Sequence, residues 1–251
     1  TPDDSPIGGW SGASRSMGYV FRLNYDYDRK YLAEFTGRYD GSYKFAGNVK
    51  GKRWAFFPSA SVAWRLSQED FMSDLTFIND LKVRASIGLL GNDAVSEYAF
   101  LSKYAFGNPV YLNNALASSL YTAAIANLNL SWENTLTYNF GFDFTMWNSL
   151  LGMEFDVFYN YTYDILSAMG SNYPGSMGGY FPTYANNNKT DARGFEVTVS
   201  HRNHFLAGGK PFTYSVSANV SYAKNRYLKY PDSPNIPEWQ KVVGSSIDAT
   251  Y

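Results

Sequence analysis

Apolar and polar residues alternate with a period of two along most of this chain, and few other patterns in the sequence compete with it. Successive side chains of a β-strand point to opposite faces, so this period describes strands with two chemically different sides. From Tyr19 the odd positions read Tyr19, Phe21, Leu23, Tyr25 and Tyr27, while the even ones read Val20, Arg22, Asn24 and Asp26. Tyr31, Ala33, Phe35 and Tyr39 then stand opposite Glu34, Thr36, Arg38 and Asp40. A third run sets Pro58, Ala60, Val62, Trp64 and Leu66 against Ser59, Ser61 and Arg65, and a fourth sets Leu81, Val83, Ala85, Ile87 and Leu89 against Lys82, Arg84 and Ser86. The fifth is the clearest: Leu136, Tyr138, Phe140, Phe142, Phe144 and Met146 face away from Thr137, Asn139, Gly141, Asp143 and Thr145. Its neighbour places Met153, Phe155, Val157, Tyr159, Tyr161 and Tyr163 against Glu154, Asp156, Asn160 and Thr162, with Phe158 as the exception. Phe195, Val197 and Val199 oppose Glu196, Thr198 and Ser200, and Phe212 to Tyr222 repeats the pattern over Thr213 to Ser221.

These runs give eight candidate strands, roughly residues 16–27, 31–43, 56–66, 81–89, 135–147, 151–164, 193–203 and 212–225. Each is near the roughly 9 to 11 residues that a tilted strand needs to cross a bilayer. Helical spacing is scarce: Phe71, Leu75 and Ile78 suggest one short stretch over Gln68 to Asn79, a cap between strands. The longest uninterrupted apolar runs, Tyr98 to Leu101 and Ala123 to Ala126, fall far short of the roughly 18 residues of a spanning helix.

The candidate connections alternate short and long. Asp28 to Lys30 precedes Phe45 to Ala55, Ser67 to Asp80 precedes Leu90 to Glu133, Asn148 to Leu150 precedes Leu166 to Thr190, and His204 to Pro211 precedes everything from Arg226 onward. Short periplasmic turns with long extracellular loops are the arrangement of transmembrane β-barrels. Facing residues must share a side of the sheet. A three-residue turn centred on Arg29 pairs Tyr27 with Tyr31, Leu23 with Phe35 and Tyr19 with Tyr39, and a turn near Ser149 and Leu150 pairs Phe144 with Phe155 and Asp143 with Asp156. A β-sandwich with one buried face also alternates; Tyr and Trp at strand ends, as in interface girdles, favour the barrel. The expected fold is therefore all-β, an antiparallel up-and-down transmembrane β-barrel segment. If the short turns are periplasmic, both chain ends lie outside the cell, whereas single-chain barrels begin and end in the periplasm. Pro231, Pro234 and Pro237 also oppose a closing strand, so the chain is expected to be about eight strands of a larger barrel.

Composition narrows the function. Aromatic residues make up 18% and charged ones 17%, against roughly 25% charged in typical soluble domains. Such a chain has ample apolar side chain for ordered structure. A net charge of -1 supplies no field for gripping a nucleic-acid backbone. The absence of Cys excludes disulfides, thiolate zinc sites and cysteine nucleophiles. The opening Thr1-Pro2-Asp3-Asp4-Ser5-Pro6 lacks the basic and apolar segments of a signal peptide.

Several segments carry a family resemblance. Phe57-Pro58-Ser59-Ala60-Ser61-Val62-Ala63-Trp64-Arg65-Leu66-Ser67, then Glu69-Asp70-Phe71-Met72, then Ile78-Asn79-Asp80-Leu81-Lys82-Val83-Arg84-Ala85-Ser86-Ile87-Gly88-Leu89-Leu90-Gly91-Asn92 resemble the barrel of SusC/RagA-type TonB-dependent outer-membrane transporters. So do Leu130-Ser131-Trp132-Glu133-Asn134-Thr135, Tyr159 to Leu166, Asn186-Asn187-Asn188-Lys189 and Arg193-Gly194-Phe195-Glu196, all in the family's order. The resemblance implies a barrel of about 22 strands around a plug domain. It further implies a SusD-like surface lipoprotein over the extracellular mouth, a TonB complex acting through an N-terminal box, and location in the bacterial outer membrane. The plug, the TonB-interacting segment and the closing strands are expected to lie outside these residues.

Within that frame Arg22, Glu34, Arg38, Arg65, Lys82, Arg84, Asn139, Asp143, Glu154, Asp156 and Asn160 are expected to face the lumen, because lumen walls are polar. Tyr98, Tyr104, Tyr111, Tyr121, Tyr173, Tyr180, Phe181 and Tyr184 cluster in the long loops, where aromatic rings can hold a sugar or peptide substrate or meet the lid protein. His201 and His204 lack a third ligand, so no metal is implied, and neither Gly-rich segment fits a phosphate loop. The expected role is part of an active importer of oligosaccharides or peptides, in contact with outer-membrane lipid, needing no cofactor and performing no catalysis. Two rivals remain: a surface carbohydrate-binding sandwich or adhesin, and a β-rich hydrolase using Asp143 and Asp156.

Overall fold

In a computed structural model, described over residues 14–169, 173, 175–177, 181–182, 184–232 and 235–248, the chain builds ten strands and no α-helix among the described residues. They are β1 (Ser16–Tyr27), β2 (Tyr31–Ser42), β3 (Trp54–Arg65), β4 (Ile78–Asn92), β5 (Lys103–Leu112), β6 (Ala115–Ala124), β7 (Glu133–Met146), β8 (Leu151–Ala168), β9 (Tyr184–Ala207) and β10 (Lys210–Lys229). Eight of them form one open antiparallel sheet in the order β1-β2-β3-β4-β7-β8-β9-β10, and β5 pairs with β6 as a separate hairpin. With that hairpin set aside, each strand lies beside its neighbour in sequence, which is an up-and-down meander.

Local chemistry explains the tight turns. Asp28 and Arg29 take positive φ between β1 and β2, and the Asp26 carboxylate accepts from the Arg29 backbone N–H at 2.9 Å. Gly208 and Gly209, with φ of 58° and 80°, connect β9 to β10 as a two-residue turn whose twist matches the strands it joins. The β1–β2 register sets Tyr27 beside Tyr31, Leu23 beside Phe35 and Tyr19 beside Tyr39, as the sequence implies.

Three expectations need correction. The stretch from Leu90 to Glu133 is not a plain loop, because it contains β5 and β6. Gly107-Asn108-Pro109 interrupts the alternation there and sits at a register shift between Gly107 and Val110, since Pro cannot donate to a ladder. The β7–β8 register is displaced by two residues: Phe144 meets Met153, Asp143 meets Glu154 and Phe142 meets Phe155, across a turn in which Trp147, Asn148 and Ser149 all have positive φ. A slip of two keeps every side chain on its face, which is why the hydrophobic pattern could not detect it. The helical stretch at Gln68 to Asn79 resolves into 3-10 turns at Leu66–Gln68 and Asp70–Met72 before β4 begins at Ile78. Several strands also outrun their apolar pattern, most of all β9, whose Tyr184–Ala192 end is Asn-rich.

The apolar face packs against no second sheet among the described residues. Phe21 on β1 and Phe140 on β7 are each 52% exposed, so the sandwich alternative lacks the sheet it requires. Aromatic ladders run across the strands at both ends of this face. Tyr19 and Tyr39 stack with Trp54 toward the long-loop end, and Tyr27, Tyr31 and Trp64 stack toward the short-turn end. Such rows are the girdles of a membrane barrel.

The lower girdle is latched by Glu69 in the β3–β4 connection. Its carboxylate accepts from the Tyr31 hydroxyl at 2.7 Å, Trp64 Nε1 at 2.9 Å and Lys30 Nζ at 3.3 Å. These donors, Tyr31 foremost, hold the Glu69 carboxyl below its ordinary range. A depressed carboxyl contributes stability above its unfolded pKa of about 4.3 and loses it as the pH falls through the folded value. The Trp64 contribution to fluorescence, taken as the difference between wild type and Trp64→Phe, is therefore expected to change as the pH falls below the ordinary glutamate range. In Glu69→Gln the same contribution should stay flat; an equal change there would show that the latch is not the titrating group.

Candidate functional site

The pairing register places all eleven charged and amide residues picked out by the sequence on one face of the eight-stranded sheet, opposite the aromatic one. Eight of them take part in a ladder of ion pairs. Arg22 lies 3.7 Å from Glu34, Arg38 is 2.6 Å from Asp40, and Arg65 is 3.3 Å from Asp80. At its centre Arg84 reaches two strands at once: Nε lies 3.2 Å from Asp143 and an Nη 2.6 Å from Asp156, while Lys82 adds a 2.6 Å contact to Asp143. Gly141, directly across from Asp156, makes this possible, because a Cβ there would lie 2.6 Å from an Asp156 carboxylate oxygen. Asn139 and Asn160 stand on the same face, and Glu154 is exposed beside Asp143.

This geometry weighs against the hydrolase. Asp143 and Asp156 do not face one another; they are bridged by a guanidinium, and each accepts from a cation. An acid/base pair needs one carboxyl in an environment that favours its protonated form. Here each carboxylate is instead held by a cation, Asp143 by Lys82 and Arg84 and Asp156 by Arg84. His201 and His204 fall on opposite faces, with His201 stacked on Tyr214 at 5.5 Å. Above the charges, toward the long-loop end, the polar face hollows into a groove of ≈ 790 Å³ lined by Glu34, Arg38, Ser59, Ser61, Ser86 and Gly88. Small side chains on the adjacent strands β3 and β4 leave this room.

The long-loop end has its own core, which the sequence did not reveal as such. Phe45, Phe57, Val95, Ala99, Leu130 and Trp132 are all buried there, gathered from β3 and from three connections. Trp132 is the hub, with Phe45 at 5.4 Å, Phe57 edge-on at 5.3 Å and its Nε1 donating to the Arg53 carbonyl at 3.3 Å. Asn186 ties the connections together: its side chain accepts from Ser131 N–H at 3.0 Å and donates to the carbonyls of Ser131 and Asp164, each at 2.8 Å. Ser42 Oγ donates to Asp93 at 2.6 Å. Tyr43 donates to Glu97, which pushes the Tyr43 hydroxyl pKa up to about 12.

The loop aromatics do not form one cluster. Tyr104, Tyr111 and Tyr121 belong to the β5–β6 hairpin and project into solvent. Phe106 and Leu120 pair across it, exposed by 79% and 63%. Tyr98 lies at the base, edge-on to Tyr43, and Tyr184 packs against the loop core. Tyr173 stacks on Phe181 at 4.9 Å, and a bridge between Ile125 and Pro182 brings that loop against the foot of the hairpin. Tyr180 lies outside the described residues.

Known proteins agree with this architecture. The family described as "TonB dependent receptor-like, beta-barrel" matches residues 2–251. TonB-dependent receptor P3 of Formosa agariphila is 32% identical over 218 residues, covering 86% of this chain and 20% of that protein. TonB-dependent receptor SusC of Bacteroides thetaiotaomicron is 29% identical over 221 residues, covering 85% and 21%. The chain thus spans about a fifth of the length of these relatives. Among solved structures, the RagAB peptide importer in its closed-closed state shares the fold with a TM-score of 0.72 at 24% identity, over 86% of this chain and 22% of that one. Members of this family are outer-membrane transporters rather than enzymes. On the match across its length and the open sheet of barrel strands, this chain belongs to the TonB-dependent receptor β-barrel family.

Proposed function

We propose that this chain is part of the barrel wall of an active importer of glycans or peptides. The importer is driven by a TonB complex acting through a region outside these residues and works with a SusD-like lid lipoprotein. The observation that carries this reading is the sorting of the sheet: eleven charged and amide residues on one face, an exposed aromatic face on the other. A two-faced wall of this kind suits a water-filled lumen on one side and lipid on the other. Arg22, Glu34, Arg38, Arg65, Lys82, Arg84, Asn139, Asp143, Glu154, Asp156 and Asn160 then line the lumen, together with the groove beside them. The plug domain and closing strands complete the barrel from other parts of the protein. The RagAB peptide importer supports peptides as one substrate class by its name, and the family resemblance carries glycans as the other.

The β5–β6 hairpin is the natural lid contact. It stands on a packed base and exposes Phe106, Leu120, Tyr104 and Tyr111, an apolar surface larger than a lone solvent-facing ribbon requires. The Tyr173–Phe181 stack and Tyr98 offer flat faces for a sugar ring or a peptide side chain. In the full-length protein, Phe106→Asp with Leu120→Asp is expected to cut co-purification of the lid lipoprotein by about tenfold or more, since two central apolar contacts at about 1–2 kcal/mol each are lost. Barrel assembly, read by heat-modifiable migration, should be unchanged. Normal lid capture and normal uptake in that variant would overturn the assignment.

A further inference from the structure

On the aromatic face, the β9–β10 pair ends in a cluster of cations. Arg193 lies directly opposite Lys224, and the next outward pair is Asp191 with Arg226. Arg226 grips Asp191 through two bonds of 2.8 and 3.1 Å. Beyond them Lys189 meets Lys229 across a register shift. Five cations thus surround a single carboxylate that Arg226 already occupies. Arg193, flanked by β8 and β10, is exposed and has no ion-pair partner among the described residues; Lys224 opposite it, on the edge strand of the described sheet, has none there either. Like charges directly opposite one another destabilise a sheet, so this placement needs an anion to offset it.

The position along the strands tells which anion. The β9–β10 turn at Gly208–Gly209 marks the short-turn end, so the cluster lies at the opposite, extracellular end. Going upward, the outward pairs are Asn203/Tyr214, His201/Val216, Val199/Ala218, Val197/Val220, Phe195/Tyr222 and then Arg193/Lys224. From Asn203 to Arg193 is ten residues, about 33 Å along the strand at ~3.3 Å each. At a tilt of about 40° this is a height of about 25 Å, the thickness of a barrel's apolar band. The cations therefore sit one step above the hydrocarbon, at the headgroups of the outer leaflet. Tyr159 stands across from Arg193 on β8, and Phe195 packs on Tyr222 at 6.0 Å immediately below. An aromatic rung under a pair of free cations suits a lipid whose chains lie along the wall and whose phosphate reaches upward.

We propose that Arg193 and Lys224, with Arg226 beside them, form an outward-facing site for the phosphate of a glycolipid headgroup in the outer leaflet. The site rests on the reading that the aromatic face meets lipid, and the experiment separates the two. Full-length protein in detergent is titrated with phosphorylated lipid A, with its dephosphorylated form and with inorganic phosphate, and binding is followed by native mass spectrometry and by the shift of the thermal midpoint. Wild type is expected to bind the phosphorylated glycolipid at least tenfold more tightly than the dephosphorylated one. Arg193→Gln with Lys224→Gln should remove that preference, while Arg202→Gln on the polar face should leave it intact. Lys224→Glu, which gives Arg193 a carboxylate partner and keeps the sheet paired, should abolish phosphate-dependent binding in a folded protein. The proposal is overturned if the variants bind as wild type does, or if inorganic phosphate alone reproduces the shift. A bimane label at Val197→Cys that nitroxide lipids quench, combined with no phosphate preference, sinks this site alone; a label that they do not quench sinks the reading of the face as well.

Discussion

Replacing Trp132 with alanine is expected to destabilise the extracellular loop core by about 3–5 kcal/mol, the usual cost of truncating a fully packed Trp. Trp132 contacts Phe45 and Phe57 and donates to the Arg53 carbonyl, so its loss removes packing from β3 and from two connections together. The barrel wall below should be untouched, because its strands are held by their own ladders. Limited proteolysis reads this directly: in Trp132→Ala, cleavage should appear in residues 43–53 and 93–101 while the strand pattern is retained. Trp132→Phe keeps most of the packing and loses one hydrogen bond, a cost of about 1 kcal/mol, and should show little new cleavage. Since the β5–β6 hairpin stands on this core, Trp132→Ala should also weaken lid capture without touching a contact residue. Unchanged cleavage would mean that the loops are held by something other than this hub.

The second large effect is expected at Arg84. Arg84→Met removes the only ion-pair partner of Asp156 among the described residues and one of two partners of Asp143. Breaking a fully buried charge pair costs about 3–5 kcal/mol. These side chains are 34%, 26% and 18% exposed, so water tempers the loss toward the roughly 2 kcal/mol of a hydrogen bond to a charged group. Urea unfolding in detergent should show that loss for Arg84→Met. Adding Asp156→Asn should recover a large part of it, because the orphaned charge is then gone. Simple additivity of the two substitutions would contradict the bridge. Gly141→Val is a companion test, since its side chain would displace the Asp156 carboxylate from Arg84.

How much of this was legible beforehand divides along physical lines. Face assignment follows from period two alone, which is why Arg22, Lys82, Asp143 and Asn160 all fell on the expected side. The β1–β2 register followed as well, because Asp28 to Lys30 leaves one turn length compatible with matched aromatic faces. Across the β7–β8 turn, two registers differing by two residues satisfy the same pattern, and the positive φ values at Trp147, Asn148 and Ser149 select the one observed. The β5–β6 hairpin escaped because Pro109 and its neighbours mask the alternation; the Asn113-Asn114 pair, both with positive φ, was the available sign of a two-residue turn. Trp132 and Asn186 were visible as family-like motifs, yet their work depends on contacts between segments more than fifty residues apart, as in the bonds joining Ser131 to Asn186. No local pattern encodes such contacts. The carboxylates illustrate the same limit: Asp143 and Asp156 looked like a facing pair until β4 placed Arg84 between them.

The central claim is that one face of this sheet meets lipid and the other water. The chain has no cysteine, so single cysteines can report on each face without interference from its own residues. Phe140→Cys on the aromatic face and Asn139→Cys on the polar face, adjacent in β7, are labelled with bimane in the full-length protein reconstituted into vesicles. The expected result is strong quenching of the label at 140 by nitroxide lipids with little by aqueous iodide, and the reverse at 139. Equal quenching at both sites, or the opposite assignment, would contradict the barrel wall described above.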